Sequence, residues 1–173
     1  CVCVCTSCTC VSCSASAVVG SSRSEQNHLD QLYRDDIVLD HSRNPRNADS
    51  LDSPDFVVDA VNPFCGDEVH LQINLDDKGC VSEVGYKGVG CAICRATGSM
   101  LSEVIKGCTL EETEEISSIF QYMMQGTEPT EEQADLLGDL TSMSAVRAFP
   151  IRIKCALLAL SALDDGIFEY RRK

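Results

Sequence analysis

The sequence predicts an α+β fold: a small three-stranded antiparallel sheet with helices packed mainly on one of its faces. Apolar and polar residues alternate from Val69 to Leu75, which is the period of a half-buried strand. The turn sequence Asp-Asp-Lys-Gly at 76–79 joins this strand to a third one at 80–87, and strands joined by a short turn pair antiparallel. After residue 90, apolar residues recur every three or four positions, which predicts helices.

The composition is that of an acidic globular chain. Its 173 residues are 44% hydrophobic and carry a formal net charge of −13. An acidic surface repels phosphate backbones, so we expect no nucleic-acid partner. The longest apolar run, residues 155–160, is far too short to span a bilayer, so we expect no membrane partner either.

Composition also divides the chain into two parts. Residues 1–27 hold six of the twelve cysteines within their first 13 positions and are otherwise rich in serine. We predict that they form a disordered tail, with a thiolate cluster for soft metals as the alternative. Residues 28–173 are predicted to fold as one domain. A domain of this size needs no disulfide staples, which favours a reducing compartment (the cytoplasm, or an organelle in a eukaryote) and thiols used for metal or sulfur chemistry.

The remaining elements follow in chain order. Apolar residues at 29, 32, 33, 37 and 38 predict a helix that ends at Asn44-Pro45. Its His41 is expected to meet helix carbonyls or the helix dipole, with metal ligation as the alternative. Residues 56–61 predict the first strand, and His70 is expected on the solvated face of the second. Further helices are predicted near residue 91, after two capping boxes at 109–112 and 130–133, and over 151–170 with a buried first half.

One loop places a thiol and a carboxylate two residues apart. Pro63 restricts the residue before it to an extended conformation, and Gly66 permits a sharp turn. Cys65 and Asp67 can therefore face one point. A soft sulfur and a hard oxygen ligand in one tight loop is a pattern that suits a metal such as zinc.

Three further cysteines lie near predicted helix starts. The glycines of Gly88-Val89-Gly90 permit a tight turn that puts Cys91 at a helix N-terminus, where the helix dipole favours the thiolate. The third glycine of a dinucleotide-binding fingerprint is missing, which excludes that motif. Cys94, one turn later, is expected to share the face of Cys91, either as a redox pair or as an accessory thiol. Cys155 lies just inside the last helix.

These residues raise the possibility of a single S3O metal site. Three thiolates and one carboxylate suit tetrahedral zinc without a histidine ligand. The alternative is that the cysteines are separately buried. The proposed ligands are Cys65, Asp67, Cys91 and Cys155.

The sequence resembles the IscU/NifU-N-terminal-like iron–sulfur cluster assembly proteins, and within them the SufU branch. The resemblance covers residues 29–170. Lys154 stands where IscU proteins carry a histidine ligand, and the interval from Cys91 to Cys155 holds a helical insert similar to that of SufU. The main motifs that carry it are Asn62-Pro63-Phe64-Cys65-Gly66-Asp67, Gly88-Val89-Gly90-Cys91-Ala92-Ile93 and Phe149-Pro150-Ile151-Arg152-Ile153-Lys154-Cys155-Ala156, with shorter matches at 32–33, 40–41, 44–47 and 99–100.

The resemblance implies zinc bound by Cys65, Asp67, Cys91 and Cys155. It also implies a sulfurtransferase that takes persulfide sulfur from a SufS-like cysteine desulfurase, as a partner of that enzyme rather than a stand-alone catalyst. Cys65 is then the acceptor and Asp67 the more labile ligand. Arg152 is expected to pair with Asp67 when it is displaced, the alternative being a solvated or ion-paired helix residue.

Two other functions stay open at this point. The first is a U-type scaffold on which a transient [2Fe–2S] cluster is assembled between the same ligands and then transferred. The second is a purely structural zinc domain, which would unfold when the metal is removed. The recipients of sulfur or clusters would be a SUF scaffold or apo iron–sulfur proteins.

Overall fold

A computed structural model describes residues 36–173 of the chain. The 1–27 tail, its boundary at residue 28 and the residues 29–33 of the first predicted helix lie outside this range. No helix within 36–173 is long and apolar enough to cross a membrane. The elements are α1 (Asp36–Arg43), β1 (Phe56–Asn62), β2 (Asp67–Leu75), β3 (Val81–Val89), α2 (Ala92–Val104), α3 (Leu110–Met124), α4 (Glu131–Leu137), a 3₁₀ segment (Gly138–Ala148) and α5 (Pro150–Arg171).

The three strands form one antiparallel sheet in the order β1-β2-β3, which confirms the predicted fold class. The turn between β2 and β3 is closed by the Gly79 amide, which donates to the Asp76 carbonyl at 2.9 Å. β3 begins at Val81, one residue later than predicted, because Cys80 forms an isolated bridge with Thr109 instead. The alternation in β2 buries Val69, Leu71 and Ile73 almost completely and so defines the inner face of the sheet.

Helices α2 and α5 contact the sheet and form the centre of the core. The buried positions of α5 recur every three or four residues from Cys155 to Ile167, so only one stripe of the helix faces inward. The predicted burial of its whole first half is therefore wrong: Ile151 is 85% exposed. Farther along α5, Gly166 allows a close approach to β1, since a Cβ there would lie 2.1 Å from Val58 Cγ2.

Both predicted capping boxes are present. The Thr109 hydroxyl accepts from the Glu112 amide while the Glu112 carboxylate accepts from the Thr109 amide, and Thr130 and Gln133 repeat this arrangement. Pro150 opens α5, where its missing amide hydrogen costs nothing. No local pattern predicts the 3₁₀ geometry of the 138–148 segment, which adds three buried apolar residues to the core: Leu140, Met143 and Val146.

The two histidines in this range have different surroundings. His41 is buried, with Nδ1 2.8 Å from Ser99 Oγ and Nε2 3.5 Å from Asp139 Oδ2, so its ring links α1 to α2 and to the 138–148 segment. This differs from the expected contact with carbonyls of its own helix. His70 lies partly exposed on the outer face, as predicted, with Nδ1 2.6 Å from Asp59 Oδ1 on the neighbouring strand.

A polar contact joins α3 to α5 beside the core. Ser117 Oγ donates to Asp164 Oδ2 at 2.8 Å, and Gln121 Nε2 donates to the same oxygen at 3.1 Å. Burial raises the pKa of Asp164 above its ordinary value, and the two hydrogen bonds only partly oppose this effect.

Candidate metal centre

The four predicted ligands meet at one edge of the sheet, although they come from three separate segments. Cys65 Sγ lies 2.9 Å from Asp67 Oδ2 and 3.3 Å from Cys155 Sγ. The ligand atoms of these three residues all lie within 4.8 Å of one another. Cys91 Sγ lies 3.6 Å from the same Asp67 oxygen. The structure thus brings Cys65, Asp67 and Cys155 together and places Cys91 beside Asp67, while a metal ion shared by all four residues stays a prediction.

The loop between β1 and β2 presents Cys65 to solvent and Asp67 to the interior. Gly66 has a φ of +69° and its amide donates to the Asn62 carbonyl at 2.8 Å, which closes the turn. The Asn62 side chain accepts from the Phe64 amide at 3.1 Å and fixes the other limb of the loop. As a result, Cys65 is exposed while Asp67, two residues later, is completely buried.

The two oxygens of Asp67 have different partners. Oδ1 accepts from the Cys91 amide at 2.7 Å, whereas Oδ2 points toward the thiols. Burial alone would raise the pKa of Asp67. Hydrogen bonds from Cys155, Cys65 and Cys91 outweigh that effect and hold the pKa below its ordinary value, so the group is a carboxylate.

Gly90 makes the position of this carboxylate possible. Its φ is +136°, and a Cβ on it would lie 2.1 Å from Asp67 Oδ1. The prediction assigned this glycine only to a tight turn. The structure adds a second reason, which is that any side chain at position 90 would occupy the space of the Asp67 carboxylate.

Cys91 is the N-cap of α2, as predicted, and its sulfur accepts from the Cys94 amide at 3.5 Å.

Cys155, near the start of α5, is only 1% exposed. Burial raises the pKa of the Cys155 thiol strongly, and its hydrogen bonds to Asp67 and Cys65 act in the same direction. In such surroundings a cation is needed to hold the Cys155 sulfur as a thiolate.

Cys94 does not share the open face of Cys91. Its thiol is fully buried, and burial followed by the negative charge of Asp67 and neighbouring cysteines raises the pKa of Cys94 to about 12. The reason is local: Cys91 has an extended backbone (φ −69°, ψ 159°), so the helical spacing that would align the two side chains does not apply. Cys94 contributes its amide to the site, and a part for its buried thiol as a redox partner or accessory thiol stays a prediction.

The donor set fits zinc. Tetrahedral bonds of about 2.3 Å to sulfur and 2.0 Å to oxygen put two sulfurs roughly 3.8 Å apart and a sulfur and an oxygen roughly 3.5 Å apart. The observed Cys65–Cys155 separation of 3.3 Å and Cys91–Asp67 separation of 3.6 Å are close to these values. Cys65, Asp67 and Cys155 therefore form a compact set of zinc donors, and Cys91 lies next to this set through Asp67.

Two basic residues of α5, Arg152 and Lys154, shortly precede Cys155. Arg152 is half-buried in the first turn, where its amide donates to the Phe149 carbonyl at 2.8 Å, and its pairing with a displaced Asp67 stays a prediction. Lys154 Nζ lies 4.9 Å from the centre of the Phe64 ring, so its ammonium covers the loop that carries Cys65.

Large apolar side chains are exposed around the site. Val61, Phe64, Val89 and Ile151 are 60–85% exposed, and each lies within four residues of one of the converging cysteines. A groove of about 320 Å³ runs beside the loop, between Phe64 and Leu157. Exposed apolar surface of this kind marks an interaction site.

One important residue was not predicted to contribute to the site. Tyr86 was expected only as a residue of β3, but its hydroxyl donates to the Cys94 carbonyl at 3.1 Å in the first turn of α2. Gly98, in the interior of α2, was the available signal, because a glycine there is unfavourable unless another group packs against it.

The fold and this thiol–carboxylate cluster together define the class of protein. The chain belongs to the NifU-like N-terminal domain family, whose model matches residues 32–173.

Two individual relatives and one solved structure show which members of this family the chain is similar to. It is 42% identical over 140 residues to the zinc-dependent sulfurtransferase SufU of Bacillus subtilis, with 81% of this chain and 92% of the relative covered. It is 34% identical over 145 residues to the iron–sulfur cluster assembly scaffold protein IscU of Streptococcus pyogenes, with 83% and 86% covered. A crystal structure of a SUF-system scaffold protein from Fervidobacterium islandicum superimposes with a TM-score of 0.72 at 28% identity, over 79% of this chain and 97% of that one.

Proposed function

We propose that this chain is a zinc-dependent sulfur acceptor of iron–sulfur cluster assembly, which takes persulfide sulfur from a SufS-like cysteine desulfurase. The observation that carries this proposal is the position of Cys65. Its thiol is exposed at a loop apex, yet it lies 2.9 Å from Asp67 and 3.3 Å from Cys155. The similarity to a relative named as a zinc-dependent sulfurtransferase supports the same function.

Zinc would be held by Cys65, Asp67, Cys91 and Cys155, and when bound it supplies the positive charge that keeps these thiols deprotonated. The chain's own groups prepare the site. The Cys91 amide orients Asp67, and the Cys94 amide donates to the Cys91 sulfur. Asp67 would supply a hard oxygen ligand among soft sulfur ligands, so its bond to zinc would be the most labile of the four.

Sulfur transfer needs only Cys65 as a nucleophile. Its thiolate attacks the outer sulfur of the donor persulfide, R–S–SH. One S–S bond forms on Cys65 while the donor's S–S bond breaks, and the donor leaves as the thiolate R–S⁻. No external oxidant or reductant is required. Arg152, in the first turn of α5, would pair with Asp67 when that carboxylate is displaced.

The desulfurase would dock on the exposed apolar residues around the site. Burying Phe64 and Ile151, each 85% exposed, would exclude water from the reacting sulfurs and hold the donor persulfide over the loop. A SUF scaffold or apo iron–sulfur proteins would be the next recipients of the sulfur.

The proposed location is a reducing compartment, the cytoplasm or an organelle. All six cysteines of residues 36–173 are free thiols, including the closely spaced pair Cys65 and Cys155. An oxidising compartment would convert such a pair to a disulfide and remove the acceptor.

The second candidate is a scaffold for a [2Fe–2S] cluster, which the 34% identity to an IscU scaffold protein supports. The position of Lys154 favours sulfur acceptance over this alternative. Its ammonium group, which cannot ligate iron while protonated, stacks on Phe64 at the position where the resemblance places a histidine ligand in IscU proteins.

The test is a desulfurase assay with radiolabelled cysteine. We expect the chain to accelerate turnover and to become labelled, and Cys65→Ser to abolish both effects. Cys108→Ser is the matched control, because Cys108 is also partly exposed and free but lies outside the site. A Cys65→Ser protein that still accepts labelled sulfur would refute the assignment.

Metal analysis separates the remaining candidates. A sulfur acceptor should purify with one zinc per chain and should not transfer a cluster to an apo-ferredoxin after anaerobic loading with iron and sulfide. A scaffold should transfer the cluster. A structural zinc domain should unfold on chelation and leave the desulfurase unaffected.

A further inference from the structure

Tyr86 occupies a slot made by two glycines. The residue is 1% exposed on the inner face of the sheet. A Cβ on Gly88 would lie 2.1 Å from the Tyr86 hydroxyl oxygen, and a Cβ on Gly98 would lie 2.2 Å from its ring. The absence of a side chain at both positions therefore serves to admit the phenol, although glycine is unfavourable inside a helix such as α2.

The phenol hydroxyl ends at the first turn of α2. It donates to the Cys94 carbonyl at 3.1 Å in a buried contact. The amide of the same Cys94 donates to Cys91 Sγ at 3.5 Å, and the amide of Cys91 donates to Asp67 Oδ1 at 2.7 Å. Two of the four proposed ligands thus depend on the orientation of the turn that Tyr86 binds.

The backbone of Tyr86 is fixed independently of this contact. Its amide donates to the Asn47 carbonyl at 2.7 Å, and β3 pairs with β2 without interruption from Glu83 to Val89. The hydroxyl therefore extends from a rigid strand to a helix start, which is the arrangement needed to set the position of that start.

We propose that Tyr86 is a positioning residue for the metal centre. Its hydroxyl holds the first turn of α2 so that the Cys91 sulfur and the Asp67 carboxylate meet Cys65 and Cys155 at one point. This inference rests on the proposed zinc site and deepens it, because it assigns a role to a residue that does not contact the metal.

The decisive variant is Tyr86→Phe, which keeps the ring that fills the slot and removes only the hydroxyl. The matched control is Thr113→Val. Thr113 is also fully buried, and its hydroxyl donates to the Thr109 carbonyl at 2.8 Å within α3, away from the ligand-bearing segments. Circular dichroism and thermal melting establish that both variants are folded.

The first readout is zinc affinity, measured by competition with a chromophoric chelator, together with the visible spectrum of the cobalt-substituted protein. We expect Tyr86→Phe to bind zinc roughly 3- to 10-fold more weakly, the effect of one lost hydrogen bond, and to show a shifted cobalt spectrum. Thr113→Val should remain within about twofold of wild type. Wild-type affinity and an unchanged spectrum in Tyr86→Phe would overturn the proposal.

The second readout does not depend on metal. In metal-free protein, amide hydrogen exchange over residues 92–98 should be faster in Tyr86→Phe than in wild type or Thr113→Val, and unchanged exchange would overturn the positioning role. A wild-type chain that binds no zinc would refute the proposed function instead, so the two failures are distinguishable.

Discussion

Replacing Gly90 with alanine should displace the Asp67 carboxylate while leaving all four proposed ligands in the sequence. The new Cβ would lie 2.1 Å from Asp67 Oδ1 and 2.8 Å from its Cγ. A carbon–oxygen contact needs roughly 3.3 Å, so Oδ1 must retreat by about 1.2 Å. In the wild-type structure, Oδ1 accepts from the Cys91 amide at 2.7 Å, and a movement of this size would break that hydrogen bond.

The expected cost has two parts. An alanine at φ +136° carries backbone strain of about 1–3 kcal/mol. Losing the charge-assisted bond from Cys91 to Asp67 costs about 1.5–3 kcal/mol more. The total of about 2.5–6 kcal/mol reaches only the lower end of the 5–15 kcal/mol that stabilises a typical domain, so we expect a folded but clearly weakened protein. Zinc affinity should fall about 10- to 100-fold, as for other losses that misorient a metal ligand.

The assay combines chelator competition for zinc with thermal melting of the metal-free protein. Gly126→Ala is the control, because Gly126 also has a positive φ (+106°) but has open space around the position of a Cβ. It should lose stability without losing zinc affinity. A folded Gly90→Ala protein with wild-type zinc affinity would refute the reasoning, and so would an equal loss of affinity in Gly126→Ala.

Three further outcomes are expected. Gly166→Ala should lower the free energy of unfolding by about 1–3 kcal/mol in urea titrations without changing zinc affinity, because its Cβ would lie 2.1 Å from Val58 Cγ2; an unchanged urea midpoint would contradict this. The raised pKa of Asp164 means that the folded state holds this proton more tightly than the unfolded state, so the contribution of Asp164 to stability should fall as pH rises from 3.8 through the folded pKa. The difference in stability between wild type and Asp164→Asn, measured from pH 3.5 to 7, should therefore shift against wild type as pH rises, and a constant difference would contradict this. Iodoacetamide should alkylate exposed Cys65 of the metal-free protein at least ten times faster than buried Cys94, as followed by mass spectrometry; equal rates would show that Cys94 is accessible.

Much of the fold could be predicted from local sequence signals. Strand alternation from Val69 to Leu75, the 76–79 turn and the two capping boxes each act within a few residues, and all are present. The 3₁₀ geometry of residues 138–148 has no such signal, because it depends on how α4 joins α5 across the core.

Local sequence signals likewise predict only part of the candidate site. The loop at 62–68 and the helix-start position of Cys91 follow from proline, glycine and turn chemistry, and so they could be predicted. The role of Tyr86 depends on which side of α2 meets the sheet, because its hydroxyl reaches the Cys94 carbonyl across that interface. That information lies in tertiary packing and has no local sequence signal.

The contact between Cys65 and Cys155 spans 90 positions of the chain. During synthesis, the loop at 62–68 leaves the ribosome long before α5 exists, so a nascent chain cannot offer the complete ligand set. A chain truncated before residue 155 would lack one of the proposed ligands. Under the proposed function, metal content would therefore report whether the loop at 62–68 and α5 have come together in the folded protein.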